Sequence, residues 1–141
     1  MAVDAAGQNM YVGNFDRGHI MRVPLDPWGQ PGQASIVASG PAFKGADGLT
    51  LAEDGTLHVA VNTQNEIATI SPHGTVPVMK LPDGVLNTPS SLVFTKDTRN
   101  PARDTLHIAN FALQEFLDGL PPRPGIVHIP APAVPGRNPS P

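Results

Sequence analysis

From residue 46 to residue 62 the chain reads ADGLTLAEDGTLHVAVN, with apolar positions alternating with small or polar ones on either side of a turn. Leu49-Thr50-Leu51 and Leu57-His58-Val59-Ala60-Val61 carry the period of two of a half-buried strand, because successive side chains point to opposite faces. Glu53-Asp54-Gly55 lies between them, and Asp-Gly supplies the backbone freedom that a tight reversal needs. The stretch predicts a β-hairpin.

The pattern occurs twice more. Met1–Asp4, a turn at Gly7 and Met10–Asn14 precede it; Leu92-Val93-Phe94 and Leu106–Asn110 follow it. Aligned on their first apolar residue, the second strands lie 47 residues apart (Met10 to Leu57) and 49 apart (Leu57 to Leu106). Such a period marks a repeat architecture. In the first unit His19–Val23 and Ser35–Ala38 read as third and fourth strands. In the second, Glu66–Ile70 and Val76–Lys80 take those places, and Pro77, which cannot donate to a ladder, assigns the last to a sheet edge. The third unit opens at Pro89-Ser90-Ser91, carries insertions at Lys96–Asp104 and Leu113–Pro124, and offers a third strand at Gly125–Ile129 but no fourth.

Four short strands per unit in meander order are the make-up of a propeller blade. The expected fold is therefore all-β, a partial β-propeller of about three four-stranded antiparallel blades, the last incomplete. The blades span 1–41, 42–86 and 87–134 of a propeller region 1–134, with a Pro/Gly-rich C-terminal tail at 135–141. Three blades make only an arc, so the chain reads as the C-terminal part of a longer propeller. Its open blade edges are expected to favour self-association.

Composition narrows the choice further. The 17 Pro and 14 Gly leave no apolar run free of breakers, which argues against helices. Charged residues make up 15% and the net charge is −3, so neither nucleic acid nor an anionic membrane is an expected partner. Without cysteine there is no disulfide framework, thiolate metal site or thiol nucleophile, and the compartment stays open. Neither a transmembrane run nor a signal peptide follows Met1.

Asp47 is the candidate for chemistry. The first strand of a blade lines the central channel, so a carboxylate at its start sits at the channel mouth, where it can ligate a hard cation or act as a general base. The competing reading is structural: Asp47-Gly48 makes a turn into the strand, its side chain bonding the local backbone.

The stretch ADGLTLAEDGTLHVAVNTQNEIATISPHGT resembles the blades of the gluconolactonase, senescence marker protein (SMP-30) and regucalcin family of six-bladed propellers. The shared signature is an Asp-Gly-Leu strand start, an acidic-Gly turn, a Leu-x-Val-Ala strand, an Asn-containing turn and a Pro-x-Gly turn after the third strand. The resemblance extends from Met1 to about Ile129. It implies a divalent cation, calcium in most members, held at the channel mouth, with Asp47 as metal ligand and catalytic base for hydrolysis of a sugar lactone or similar small-molecule ester. An Asn-Gly ligand of the preceding blade would fall just before Met1, and a family Glu lies outside this sequence. Ser90 takes the corresponding place in the third unit, as at most an outer hydrogen-bond donor. With one ligand of the set present, the rival reading is a non-catalytic propeller segment that binds a partner or serves as scaffold.

The remaining eye-catching residues read as structural. Asn14, Asn62 and Asn110 recur 48 residues apart and suit turns. His58 and His107 share the register of Tyr11 and are expected to pack. Trp28 is expected to cover a blade edge, with stacking on a sugar ring as its rival role, and Ser90-Ser91 lacks a nucleophile elbow.

Overall fold

Strands form where apolar and polar positions alternate, and each ends where Gly, Pro, Asp or Asn lets the backbone reverse. The structure is a computed structural model that describes residues 1–74, 78–79, 81–95 and 105–130. The first sheet contains β1 (Ala2–Val3), β2 (Asn9–Asn14), β3 (His19–Pro24) and β4 (Ser35–Ser39). The second contains β5 (Ala46–Leu51), β6 (Leu57–Val61), β7 (Glu66–Ile70) and β8 (Val78–Met79). The third contains β9 (Pro89–Thr95), β10 (Thr105–Asn110) and β11 (Gly125–Pro130). Every sheet is an antiparallel meander in chain order, so β1, β5 and β9 are the inner strands of three successive blades of a partial six-bladed-type propeller.

The repeat holds residue by residue. Tyr11 stands opposite Ala2 and Arg22, His58 opposite Thr50 and Thr69, and His107 opposite Val93 and His128. Because side chains alternate, each sheet presents one set of residues to the preceding sheet and another to the following one. Leu49, Leu57, Val59 and Ile70 of the second sheet close on Ile20 of the first, with Phe43 sealing the joint. Ala60 and Ile67, from its other face, close on Leu92, Leu106 and Ile108 of the third. Each large aliphatic side chain so buried contributes about 1.5 to 3 kcal/mol, and the core therefore lies between the blades.

Two expectations need correction. A short helix, α1 (Leu113–Leu117), interrupts the Leu113–Pro124 insertion despite the chain's breaker-rich composition, because that segment itself is free of Gly and Pro. Glu115 of α1 holds the rest of the insertion by accepting from the Arg123 backbone N–H at 2.7 Å and from its guanidinium at 2.6 Å. Trp28 covers no blade edge: its side chain is exposed, while its backbone N–H donates to Asp26. Pro77 and the Lys96–Asp104 insertion lie outside the described residues. Among the described residues no helix is long and apolar enough to cross a membrane.

Candidate functional site

The approach to β5 is tightly anchored. Thr63 Oγ1 donates to the Lys44 carbonyl at 3.0 Å, Gln64 Nε2 donates to the carbonyls of Pro41 and Lys44 at 2.8 Å each, and the Asn62 N–H donates to the Gly45 carbonyl at 2.8 Å. β5 then enters its ladder through a β-bulge. Ala46 pairs with Val61 and Leu49 with Val59, so Asp47 and Gly48 together face the single residue Ala60. A bulge re-aims a side chain out of the pleat. Here it leaves Asp47 exposed at the start of an inner strand.

Gly48 explains why the bulge fits. A Cβ there would lie 2.6 Å from the Ser90 carbonyl oxygen and 2.6 Å from the Ser91 Cα, so only glycine lets β5 run this close to β9. The starts of the two inner strands are thereby brought together. β9 has an irregularity at the same level, its partner shifting from Ser91 opposite Ala109 to Pro89 opposite Asn110. Ser90 is the residue left over, and its hydroxyl turns to the Ala109 carbonyl at 3.4 Å.

Among the described residues the Asp47 carboxylate makes no turn hydrogen bond of the kind other aspartates of the chain make. Asp4 accepts from the Gln8 N–H at 2.8 Å, Asp26 from the Trp28 and Gln30 N–H groups, and Asp54 from the Thr56 N–H and hydroxyl at 3.0 and 2.9 Å. Among the described residues nothing comparable holds Asp47, so the local turn proposed as its competing role is not made by its side chain. Partial desolvation by the adjoining strands raises its pKa above the usual aspartate value, with the Met1 amino group pulling the other way.

The other residues singled out by sequence hold the scaffold. Asn14 Oδ1 accepts from the Arg17 N–H at 3.0 Å. Asn110 accepts from the Asn87 N–H at 3.1 Å and donates to the Val85 carbonyl at 2.8 Å, tying β10 to the segment that leads into β9. Asn62 is buried. His58 is buried too, meets Thr69 Oγ1 through Nδ1 at 3.3 Å and packs edge-on against Phe94 of the third blade, ring centroids 5.0 Å apart. Burial pushes its pKa down to about 4, against the opposing pull of Asp54. His107 meets Thr95 Oγ1 at 2.7 Å and His128 Nδ1 at 2.6 Å.

Sequence reasoning missed a clamp between the second and third blades. Asn65, at φ 51°, accepts the Thr88 N–H at 2.7 Å, and Thr88, at φ 47°, accepts the Leu113 N–H at 2.7 Å. The available signal was an Asn in the turn before β7, since Asn is the residue that most readily adopts left-handed geometry after glycine. A shallow groove lined by Gly7, Asn9, Leu25 and Asp26 lies at the opposite end of the first blade from the strand starts.

Among the described residues no three His, Cys, Asp or Glu side chains converge as metal ligands. Calcium takes roughly six to eight oxygens. The residues present therefore do not by themselves fit the cation that the resemblance implies.

Three successive antiparallel meander sheets define a partial β-propeller, with the Asp47 carboxylate exposed at a bulge on an inner strand. The chain belongs to the SMP-30/gluconolactonase/LRE-like family, which it matches over residues 1–108. It superposes on luciferin-regenerating enzyme with a TM-score of 0.67 at 20% identity, over 90% of this chain and 42% of that one. With regucalcin from Agrobacterium tumefaciens, described as a calcium-binding protein, the TM-score is 0.68 at 18% identity, over 91% and 43%. Virginiamycin B lyase from Staphylococcus aureus gives 0.53 at 13% identity, over 94% and 41%. The chain thus spans less than half the length of these structures, whose likeness is one of fold. No curated protein sequence matches it significantly.

Proposed function

We propose that this chain contributes Asp47 to a gluconolactonase-type site that hydrolyses a sugar lactone or similar small cyclic ester. One observation carries this reading: Asp47 is exposed at a bulge on an inner strand, without the turn bonds that occupy Asp4, Asp26 and Asp54. A carboxylate whose proton affinity is raised is the better base. Asp47 takes a proton from water as the water oxygen attacks the lactone carbonyl. The ring C–O bond then breaks, and the departing alkoxide recovers a proton to leave the open hydroxy acid. The divalent cation implied by the family, calcium by analogy with the regucalcin neighbour, needs oxygens that the described residues do not gather, so no step here runs through it.

The test is proton release from gluconolactone, above the spontaneous rate, by the chain and by Asp47→Asn, with calcium titrated calorimetrically in parallel. A rate that falls about a hundredfold or more in the variant supports the base role. The second reading, a non-catalytic propeller segment, is favoured by the lack of a converging ligand set among the described residues. It gains if neither protein exceeds the spontaneous rate and neither takes up calcium.

A further inference from the structure

Among the described residues one pair of imidazoles is brought together, and it lies in the third sheet. The register held by Tyr11, His58 and His107 on the second strands has Arg22, Thr69 and His128 opposite it on the third strands. His58 meets the Thr69 hydroxyl and packs on Phe94, so packing in that register needs no second histidine. Between β10 and β11, by contrast, two nitrogen donors face each other. His107 Nδ1 lies 2.6 Å from His128 Nδ1, and the rings meet edge to face with centroids 4.7 Å apart. Both residues belong to directly paired positions of one hairpin, so the pair does not depend on what lies against the sheet.

The far side of the His107 ring is tied as well. Its Nε2 lies 2.7 Å from Thr95 Oγ1 on β9. With the ring proton on Nε2 and donated to that hydroxyl, Nδ1 keeps its lone pair and points it at His128. Two ring nitrogens this close hold at most one proton between them, and a cation that accepts both lone pairs takes that proton's place. Metal–nitrogen bonds of about 2.0 to 2.1 Å set two such nitrogens about 3 Å apart, which a small turn of either ring supplies. A hydrogen-bond partner on the far nitrogen is the usual companion of a metal-bound imidazole, because it fixes the tautomer and the ring plane. Nitrogen donors select zinc or copper over calcium.

We propose that His107 and His128 form a two-imidazole site for a divalent transition-metal ion, zinc or copper, with Thr95 as its positioning residue and water in the remaining positions. The ion clips β11 to β10. The site uses other residues and other donor atoms than the calcium site implied at Asp47, and it stands whether or not Asp47 hydrolyses a lactone.

Calorimetric titration of zinc chloride into the 141-residue chain tests it, with thermal unfolding in parallel. One saturable equivalent per chain is expected, together with a higher unfolding midpoint, because the ion binds the folded pair. His107→Gln and His128→Gln, each checked for an unchanged circular dichroism spectrum, should weaken binding by about a hundredfold. Thr95→Val should weaken it by about tenfold, and Thr95→Ser should keep it. His73→Gln, in an exposed turn, should leave it unchanged. Copper(II) on the unsubstituted chain should show two imidazole nitrogens by electron paramagnetic resonance, a readout that needs no variant to fold. Titration without saturation, a copper centre with a single nitrogen, a His107 or His128 variant that binds as tightly as the parent chain, or equal loss on His73→Gln overturns the inference.

Discussion

The second and third sheets carry the same pattern in the same register and meet opposite fates. In the second, His58, Ala60 and Ile67 are sealed by the next blade; in the third, Ile126 faces solvent, and His107 bonds sideways to Thr95 and His128. The difference teaches that local alternation builds the blade, while the neighbouring blade turns its apolar face into a core. The largest consequence is at the isoleucines. Ile67→Ala should cost about 2 to 5 kcal/mol, the range for truncating a buried Ile. Ile126→Ala, measured in dilute monomer by chemical denaturation, should stay within about 0.5 kcal/mol. Equal costs would erase the distinction.

The histidines sharpen it through pH. Folding lowers the pKa of His58 to about 4 from an ordinary 6.5, because its site excludes water. Between those values the unfolded chain binds the proton that the folded chain refuses. The stabilising contribution is therefore complete above pH 6.5 and is lost as the pH falls towards 4. From pH 7.5 to 4.5 this linkage removes about 2 to 3 kcal/mol. His58→Tyr, which installs the residue type found at that register in the first sheet, should flatten this part of the pH profile of the urea midpoint. His107→Tyr should leave it in place.

Next in size is the joint at the inner strands. Gly48→Ala pushes a methyl into the backbone of Ser90 and Ser91 and should cost about 1 to 3 kcal/mol in thermal or urea unfolding. Ser91, which holds the Gly48 register in the third sheet, should accept alanine with a change within about 0.5 kcal/mol.

Much of this was legible in the sequence, for a physical reason. Strands whose two faces meet different neighbours must alternate, and Asp-Gly, Asn and Pro-x-Gly turns advertise their own backbone geometry. The hairpins, the repeat length, the packing role of His58 and the family resemblance could therefore be read directly. The bulge at Asp47-Gly48 could not, because one unpaired residue leaves no periodic trace in so short a strand. The Asn65–Thr88 clamp was hidden because its two halves are 23 residues apart in different units. Helix α1 was hidden by an average: Pro and Gly abound in the chain as a whole but are absent from Leu113–Leu117. As for the candidate site, sequence singled out Asp47, but only the structure separates it from the aspartates that make turns.

That separation yields the smallest expected effect and the sharpest comparison, between two Asp-Gly pairs seven residues apart in one hairpin unit. Asp54 accepts both the N–H and the hydroxyl of Thr56, a residue that is itself buried. Asp54→Ala strands those donors and should cost about 1 to 2 kcal/mol. Asp47 is exposed, and its raised pKa means that the fold slightly disfavours its charge, so Asp47→Ala should change stability by no more than about 0.5 kcal/mol. Urea titration of both variants at pH 7 makes the comparison. If Asp47→Ala costs as much as Asp54→Ala, the Asp47 carboxylate is holding the strand start and the case for a catalytic base collapses into turn chemistry. If it costs nothing while lactone hydrolysis falls, a residue dispensable to the fold is being used for chemistry alone.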